Sequence, residues 1–428
     1  MAGSISLLKV LRKRKSFYYD KKHFMAISSM FYRMKQNAVG LASICILSTM
    51  VLVMVSTTVS LYAGVQDALN LRYPSDVSIV FSDLMVNEDD HLKQLITEAL
   101  KDKGYPMNEV VSYTDFTMIL KREGNNFSHQ EQMDAFDDST SFVTVMSNQD
   151  YFELTQDVLM LSDNEAIVVS SQKKLINDVV VLGKKYTIKK KVASLPLVDS
   201  YQYMTTDTLL LIVNQTEFES LFAHQKEVFK DQSEGQYYRI AMNFDGDTQE
   251  KLAAYSTLSS LMKDLSYEFK NETGAVVLRD ASTVNAYLTS RQANESSFYS
   301  MYGGFLFLGL FLGLLFMCAT VLIIYYKQIS EGYDDKERYS ILKKVGMSYD
   351  EIKASIRSQI LIIFFLPLSF GILHIAFAFK LITKLMILFN LTNVTLFLWC
   401  TVFTLIVFSI IYSVVYGLTA KVYYRIVS

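Results

Sequence analysis

The stretch KERYSILKKVGMSYDEIKASI, Lys336–Ile356, carries most of the charge in the last third of the chain. With its flanks it sets Lys327, Lys336, Arg338, Lys343, Lys344, Lys353 and Arg357 against Glu331, Asp334, Asp335, Glu337, Asp350 and Glu351. Ile341, Leu342 and Val345 make a short apolar stripe among them. Gly346 reads as a helix stop, and Ser348 as the cap of a second helix with Glu351 at the capping-box position. A loop that is merely solvated needs no such punctuation, whereas a helix–turn–helix that docks a partner does. The residues expected to make that contact are Glu337, Arg338, Leu342, Lys343, Val345, Gly346 and Ser348.

Other chemistry is missing from the sequence. There is no G-x-x-x-x-G-K-[ST] loop, no H-E-x-x-H, no C-x-x-C and no G-x-S-x-G, and the five histidines are scattered. Neither a catalytic centre, a metal site nor a bound cofactor is expected. His374 falls inside an apolar run, where an ionisable group is a functional candidate by default. The favoured reading is a neutral imidazole satisfied against a neighbouring helix. Gly309 and Gly313 form a G-x-x-x-G, with Gly303 and Gly304 a turn or two earlier. Small residues let helices approach closely, and either the first span or a second copy would serve as the partner. The glycine pair 303–304 is also a candidate hinge.

The elements that must position these residues are membrane spans. The chain has 428 residues, 51% of them hydrophobic, and a mean hydropathy of +0.21. Four runs lack charge for about 20 residues, the length that crosses a bilayer core: Ala38–Tyr62, Ser300–Tyr326, Ser358–Phe379 and Val394–Tyr416. Residues 1–36 hold nine Lys/Arg against Asp20 alone, which places the N-terminus in the cytoplasm. Residues 64–299 hold 21 Lys/Arg against 36 Asp/Glu, which places them outside. The expected order is a basic cytoplasmic segment 1–37 with an amphipathic surface helix at Phe24–Gln36, a span 38–62, and an extracellular domain 63–299. A span 300–326, a cytoplasmic loop 327–357, a span 358–379, an external link 380–393, a span 394–416 and a cytoplasmic tail 417–428 follow. The fold class is thus membrane α-helical, four spans, with a large mixed α/β domain between the first and second. Pro367, Ser369 and Gly371 suggest a kink in the third. Cys45, Cys318 and Cys400 all lie in spans, so no disulfide is expected in the domain.

Within 63–299, strands are expected at 76–81, 166–170, 184–192, 208–214, 237–244 and 275–280, and helices at 88–104, 215–225 and 247–265. Residues 122–132 read as a loop. With neither proline nor glycine between Ala281 and Ser300, one helix is expected from about Thr283 to Tyr326, its outer part a stalk.

At ERYSILKKVGMSYDEI the chain resembles the short cytoplasmic motif of FtsX/MacB-type ABC transporter permeases. YRMKQNAVGLASICILSTMVLVMVSTTVSLY, Tyr32–Tyr62, resembles the C-terminal half of the Bce-type permeases that handle bacitracin and other antimicrobial peptides. The resemblance covers Phe24–Tyr62 and Phe298–Ser428, while the domain between matches nothing by motif. It implies a non-catalytic subunit of the bacterial cell membrane, with both termini cytoplasmic. ATP and Mg²⁺ would be used by a separate cytoplasmic ABC ATPase docked on the loop. It further implies a membrane sensor histidine kinase and lipid as partners, with no nucleic acid. Bce-type permeases have ten spans, with the large domain before the last three. A four-span chain therefore corresponds to a split-gene half that pairs with an N-terminal permease half, to a fragment, or to a stand-alone permease of MacB-like size working with a second copy. The expected function is resistance to, or sensing of, peptide antibiotics. The alternative is an FtsX-like subunit that transmits motion to an extracellular cell-wall hydrolase and moves no substrate.

Overall fold

The computed structural model describes residues 38–82, 84–85, 88–130, 139–169, 177–198, 208–230, 233, 235–271, 273–344, 346, 348–387, 389, 391 and 393–427. At 338–339, 342–343, 349–360 and 362–363 it describes the backbone alone. The surface helix expected at Phe24–Gln36 lies outside these residues. The chain divides into two units. One holds Met1–Gly64, Met301–Met386 and Asn393–Ser428, and the other Val65–Ser300 with Ile387–Thr392.

The first unit is a bundle of helices long and apolar enough to cross a membrane. These are α1 (Ala38–Ala63), the membrane part of α7 (Arg291–Lys344), α8 (Tyr349–Ile387) and α9 (Val394–Val427). The chain is a multi-pass membrane protein. The bundle packs around Leu52, Ile324, Phe364, Leu368, Phe408 and Tyr412. Tyr412 donates a hydrogen bond to Phe364 O at 2.9 Å. Pro367 lies inside α8, whose N–H it removes from the ladder. The segment read as an external link at 380–393 is helical as far as Ile387.

The second unit is a mixed α/β domain inserted between the first and second spans. In chain order it runs α2 (Val65–Arg72), β1 (Val77–Ser82), α3 (Glu88–Asp102), β2 (Met107–Glu123), β3 (Asn126–Ser128), β4 (Thr140–Ser147) and α4 (Asn148–Thr155). It continues with β5 (Glu165–Val169), β6 (Asp178–Val181), β7 (Lys184–Val192), β8 (Thr208–Val213), α5 (Gln215–Phe229) and β9 (Tyr237–Phe244). The last elements before α7 are α6 (Thr248–Lys263), β10 (Ser266–Lys270), β11 (Val276–Asp280) and β12 (Asn285–Ser290). The main sheet has the order β12-β1-β9-β2-β3-β6-β7-β5-β8-β4. The far half of β2 also pairs with β4, so the strands from β2 round to β4 close on themselves. Phe116, Leu120, Phe127, Val145, Val168 and Leu211 fill one core there, capped by Phe218 and Leu221 of α5. Around β1 and β9, α3 buries Leu92, Ile96 and Leu100, one per turn. Each such leucine removed from water contributes about 2 kcal/mol. Gly104, at φ +80°, ends that helix, with Tyr105 N donating back to Leu100 O at 3.0 Å.

The helix expected from Thr283 begins eight residues later. Asn285–Ser290 is the edge strand β12, paired antiparallel with β1 from Asn285↔Ser82 to Ser290↔Val77. The open edge of β1 offers more hydrogen bonds and packing than a helical propensity that packing can override. The loop expected at 122–132 contains β3, whose hairpin with β2 turns at Gly124, φ +69°.

Candidate functional site

Four places carry the candidate functional side chains, and each belongs to one unit. The first is the glycine seam of the bundle. A Cβ at Gly309 would fall 2.2 Å from Thr58 Oγ1, and one at Gly313 2.7 Å from Val55 Cγ2. At Gly303 the nearest atom would be Tyr62 Cε2, 3.8 Å away, and at Gly304 nothing lies within 4 Å. Val55, Thr58 and Tyr62 share one face of α1 and run antiparallel to Gly313, Gly309 and Gly303. The G-x-x-x-G is thus occupied by the first span. Gly303 and Gly304 sit inside an unbroken α7. On α8, His374 Nδ1 faces Thr49 Oγ1 of α1 at 3.4 Å, a neighbouring-helix partner of the kind a neutral imidazole needs.

The second is the turn between α7 and α8. Helix α7 ends at Lys344, Gly346 stands at φ +101°, and α8 starts at Tyr349 directly after Ser348. The left-handed angle suits glycine, because a Cβ there meets its own backbone. Glu337 is exposed. Arg338, Leu342 and Lys343 occupy the last turns of α7, but their side chains, and Val345 altogether, lie outside the described residues.

The third is the root of α7 in the inserted domain. Asp76, almost fully buried, accepts hydrogen bonds from Gln292 Nε2 at 2.7 Å and Phe244 N at 3.0 Å, and pairs with Lys251 Nζ at 2.8 Å. Burial alone would raise its pKa, but these bonds hold its carboxyl below the usual range. Arg291 Nε donates to Tyr73 O at 2.7 Å, its Nη2 donates to Pro74 O, and its backbone N donates to Asp76 O at 3.0 Å. The first two residues of α7 are therefore fixed to the strand face from which the helix leaves.

The fourth was not legible as a motif. A cleft of about 600 Å³ opens between the start of α3, the middle of β2 and β9, and α4 with the loop after it. Among the described residues, Asp89, Asp90, Asp150 and Glu153 line it against one cation, Lys93. Phe152 and the loop residues Val158 and Met160, which are 71% and 85% exposed, line its apolar part. Tyr238 lies opposite Thr114 in the β9–β2 register, is 6% exposed, and sets its hydroxyl beside Ser112 without a well-formed hydrogen bond. Arg239 beside it is locked to Asp115 through Nε at 2.7 Å and Nη2 at 3.2 Å. Asp150 belongs to the first turn of α4, capped by Ser147, whose Oγ donates to Asp150 Oδ2 at 2.7 Å. Burial pushes the Asp150 carboxyl up to about 6, reinforced by Asp115 and Asp89 and opposed by the Ser147 bond.

The sign of this shift is testable. A carboxyl raised in the fold favours the native state at low pH. That advantage fades from the unfolded pKa upward and is gone once pH passes the folded value near 6. Asp150→Asn keeps an acceptor for Ser147 and cannot ionise. It is expected to raise stability at pH 7.5 by roughly 2–3 kcal/mol and to leave it nearly unchanged at about pH 3, below the unfolded pKa. Thermal unfolding of the purified protein at the two pH values measures this, and equal shifts at both would contradict it.

No family model matches the chain. The ABC transporter permease protein YxdM of Bacillus subtilis is 24% identical over 396 residues. The bacitracin export permease protein BceB of the same organism is 22% identical over 392 residues, and that of Halalkalibacterium halodurans is 24% identical over 394. Each match covers 88% of this chain and 54% of the relative. The chain thus spans about half the length of the curated relatives it matches. Among the described residues no group of three or more His, Cys, Asp or Glu is placed to hold a metal ion. Over nearly nine-tenths of its length the chain is thus similar to ABC transporter permeases, two of them bacitracin export permeases.

Proposed function

We propose that the chain is the membrane subunit of an ABC transporter, driven by a separate ATPase through residues 336–356, and that it serves resistance to or sensing of cationic peptide antibiotics. The observation that carries this is the similarity to ABC transporter permeases along 88% of a chain with four spans and one inserted domain. In this reading the domain is extracellular and both termini are cytoplasmic. A membrane histidine kinase reads the activity. The cleft supports the peptide class. Its carboxylates attract cations from a distance, while Phe152, Val158 and Met160 offer the apolar contact an amphipathic peptide needs. Long helix α7, about 80 Å at 1.5 Å per residue, is the element that carries motion between the loop and the domain. Its root at Asp76 resists slippage there.

That same root also favours a second reading, an FtsX-like subunit that transmits motion to a cell-wall hydrolase without moving a substrate. A kinase and regulator pair encoded beside the gene supports the first reading, and a hydrolase or cell-division gene the second.

The loop tests either. Arg338→Glu reverses a charge at the expected ATPase contact, and Gly346→Val places a β-branched residue at φ +101°. Each is expected to lower ATP turnover of the complex about tenfold or more, as a loss of 1.4 kcal/mol or more at the contact would. Insertion into the membrane should be unchanged. Wild-type turnover and ATPase binding in both variants would remove the loop from the mechanism.

A further inference from the structure

The buried face of α7 changes character toward its C-terminal end. Thr320 and Ile324 continue the packing of the bundle, but the next positions on the same face are Lys327, Gln328, Glu331 and Asp335, the last three buried. Lys327 Nζ stands 3.9 Å from Glu331 Oε1, one turn along. Gly40 of α1 packs against the Lys327 stem, its virtual Cβ 3.6 Å from Lys327 Cδ. Gly332 packs against Ile426 of α9 in the same way at 3.4 Å. Between these contacts the Tyr423 hydroxyl of α9 donates to Asp335 Oδ2, and both residues are 1% exposed.

Burying a carboxylate costs free energy that an apolar pair would not. Adhesion between α7 and α9 does not need one, because the same two helices contribute Ile324, Phe408 and Tyr412 to a shared apolar cluster. A directional hydrogen bond adds register instead, since it fixes rotation and axial position together. Among the described residues, Asp335 is also the last buried position of α7 before the turn at Gly346.

We propose that the Tyr423–Asp335 hydrogen bond is a latch between the ends of α9 and α7, and that both side chains are positioning residues that aim residues 336–344 at the ATPase. The function rests on the loop reading above, whereas the geometric claim does not. A swing of the loop therefore moves the end of α9 with α7, so the drive enters the bundle through two helices.

The test uses the full chain in nanodiscs, with Cys45, Cys318 and Cys400 replaced by serine and spin labels at Lys344→Cys and Lys421→Cys, both exposed positions. The parent should give one narrow distance distribution. Asp335→Asn keeps the acceptor and should preserve it. Tyr423→Phe should broaden it about twofold, as expected for a helix end that opens locally. The double variant Asp335→Leu with Tyr423→Phe removes both members of the bond and should broaden the distribution equally, with thermal stability measured beside it. A purely structural role would not separate these two readouts. A narrow, parent-like distribution in the double variant overturns the latch. Broadening with undiminished ATP turnover of the complex upholds the latch and overturns the loop's part in coupling.

Discussion

Gly309→Ala is expected to destabilise the bundle by up to roughly 2 kcal/mol, while Gly304→Ala, five residues away on the same helix, stabilises it or leaves it unchanged. The added methyl at 309 would lie 2.2 Å from Thr58 Oγ1 and 2.6 Å from its Cγ2. Thr58 has little room to yield, because its hydroxyl is engaged with Met54 O at 2.9 Å one turn back. Overpacking of this kind typically costs about 1–3 kcal/mol, more than the ~1 kcal/mol that alanine gains over glycine in a helix. At 304 no atom lies within 4 Å, so only the gain remains. The contact assignment makes a second demand. Thr58→Ala removes the two nearest atoms and leaves its Cβ at 2.8 Å, so it should rescue Gly309→Ala in part. Thr58→Gly should rescue it further. Unfolding temperatures of the purified full chain, analysed as a double-mutant cycle, decide it. Equal effects at 304 and 309, or no coupling between 309 and 58, would show that the seam lies elsewhere.

The seam shows what was legible in the sequence and what was not. Small residues at 309 and 313 mark a close helix approach whatever the partner, but the partner itself is a tertiary fact. Spans and the strands at 184–192 and 237–244 were legible because charge-free length marks a span, and apolar residues at 186, 188 and 192 and at 238, 240, 242 and 244 alternate as a strand requires. Asn285–Ser290 was not, since NAYLTS next to a span reads equally as helix, and only the free edge of β1 makes it a strand. Strand β2 was missed because charged and polar residues punctuate it. The cleft was invisible for a different reason. Asp89, Ser112, Asp150 and Tyr238 are separated by dozens of residues and meet only through the β2–β9 pairing and the packing of α3 and α4 beside it. Asp335 looked like one charge among many in a solvated stretch, and its burial against Tyr423 depends on where α9 ends.

A second large functional effect should come from the cleft. Asp89→Asn, Asp90→Asn and Glu153→Gln together remove three carboxylates from a cleft that Lys93 also lines. Exposed ion pairs are worth about 0.5 kcal/mol each, so the triple change weakens a cationic peptide by roughly tenfold. The difference should shrink at high salt, where exposed charges are screened within about 3 Å at 1 M. None of the three sits in the bundle or the loop, so the neutralised domain should still fold and the complex should still assemble.

One measurement joins the cleft to the loop: ATP hydrolysis by the purified chain with its ATPase in nanodiscs, titrated with a cationic peptide antibiotic at low salt. The expected result is turnover that rises with peptide, with a half-stimulating concentration about tenfold higher in the triple variant and an unchanged rate without peptide. Turnover indifferent to peptide, or an identical titration in wild type and triple variant, would contradict the proposal that this cleft feeds an ATP-driven permease.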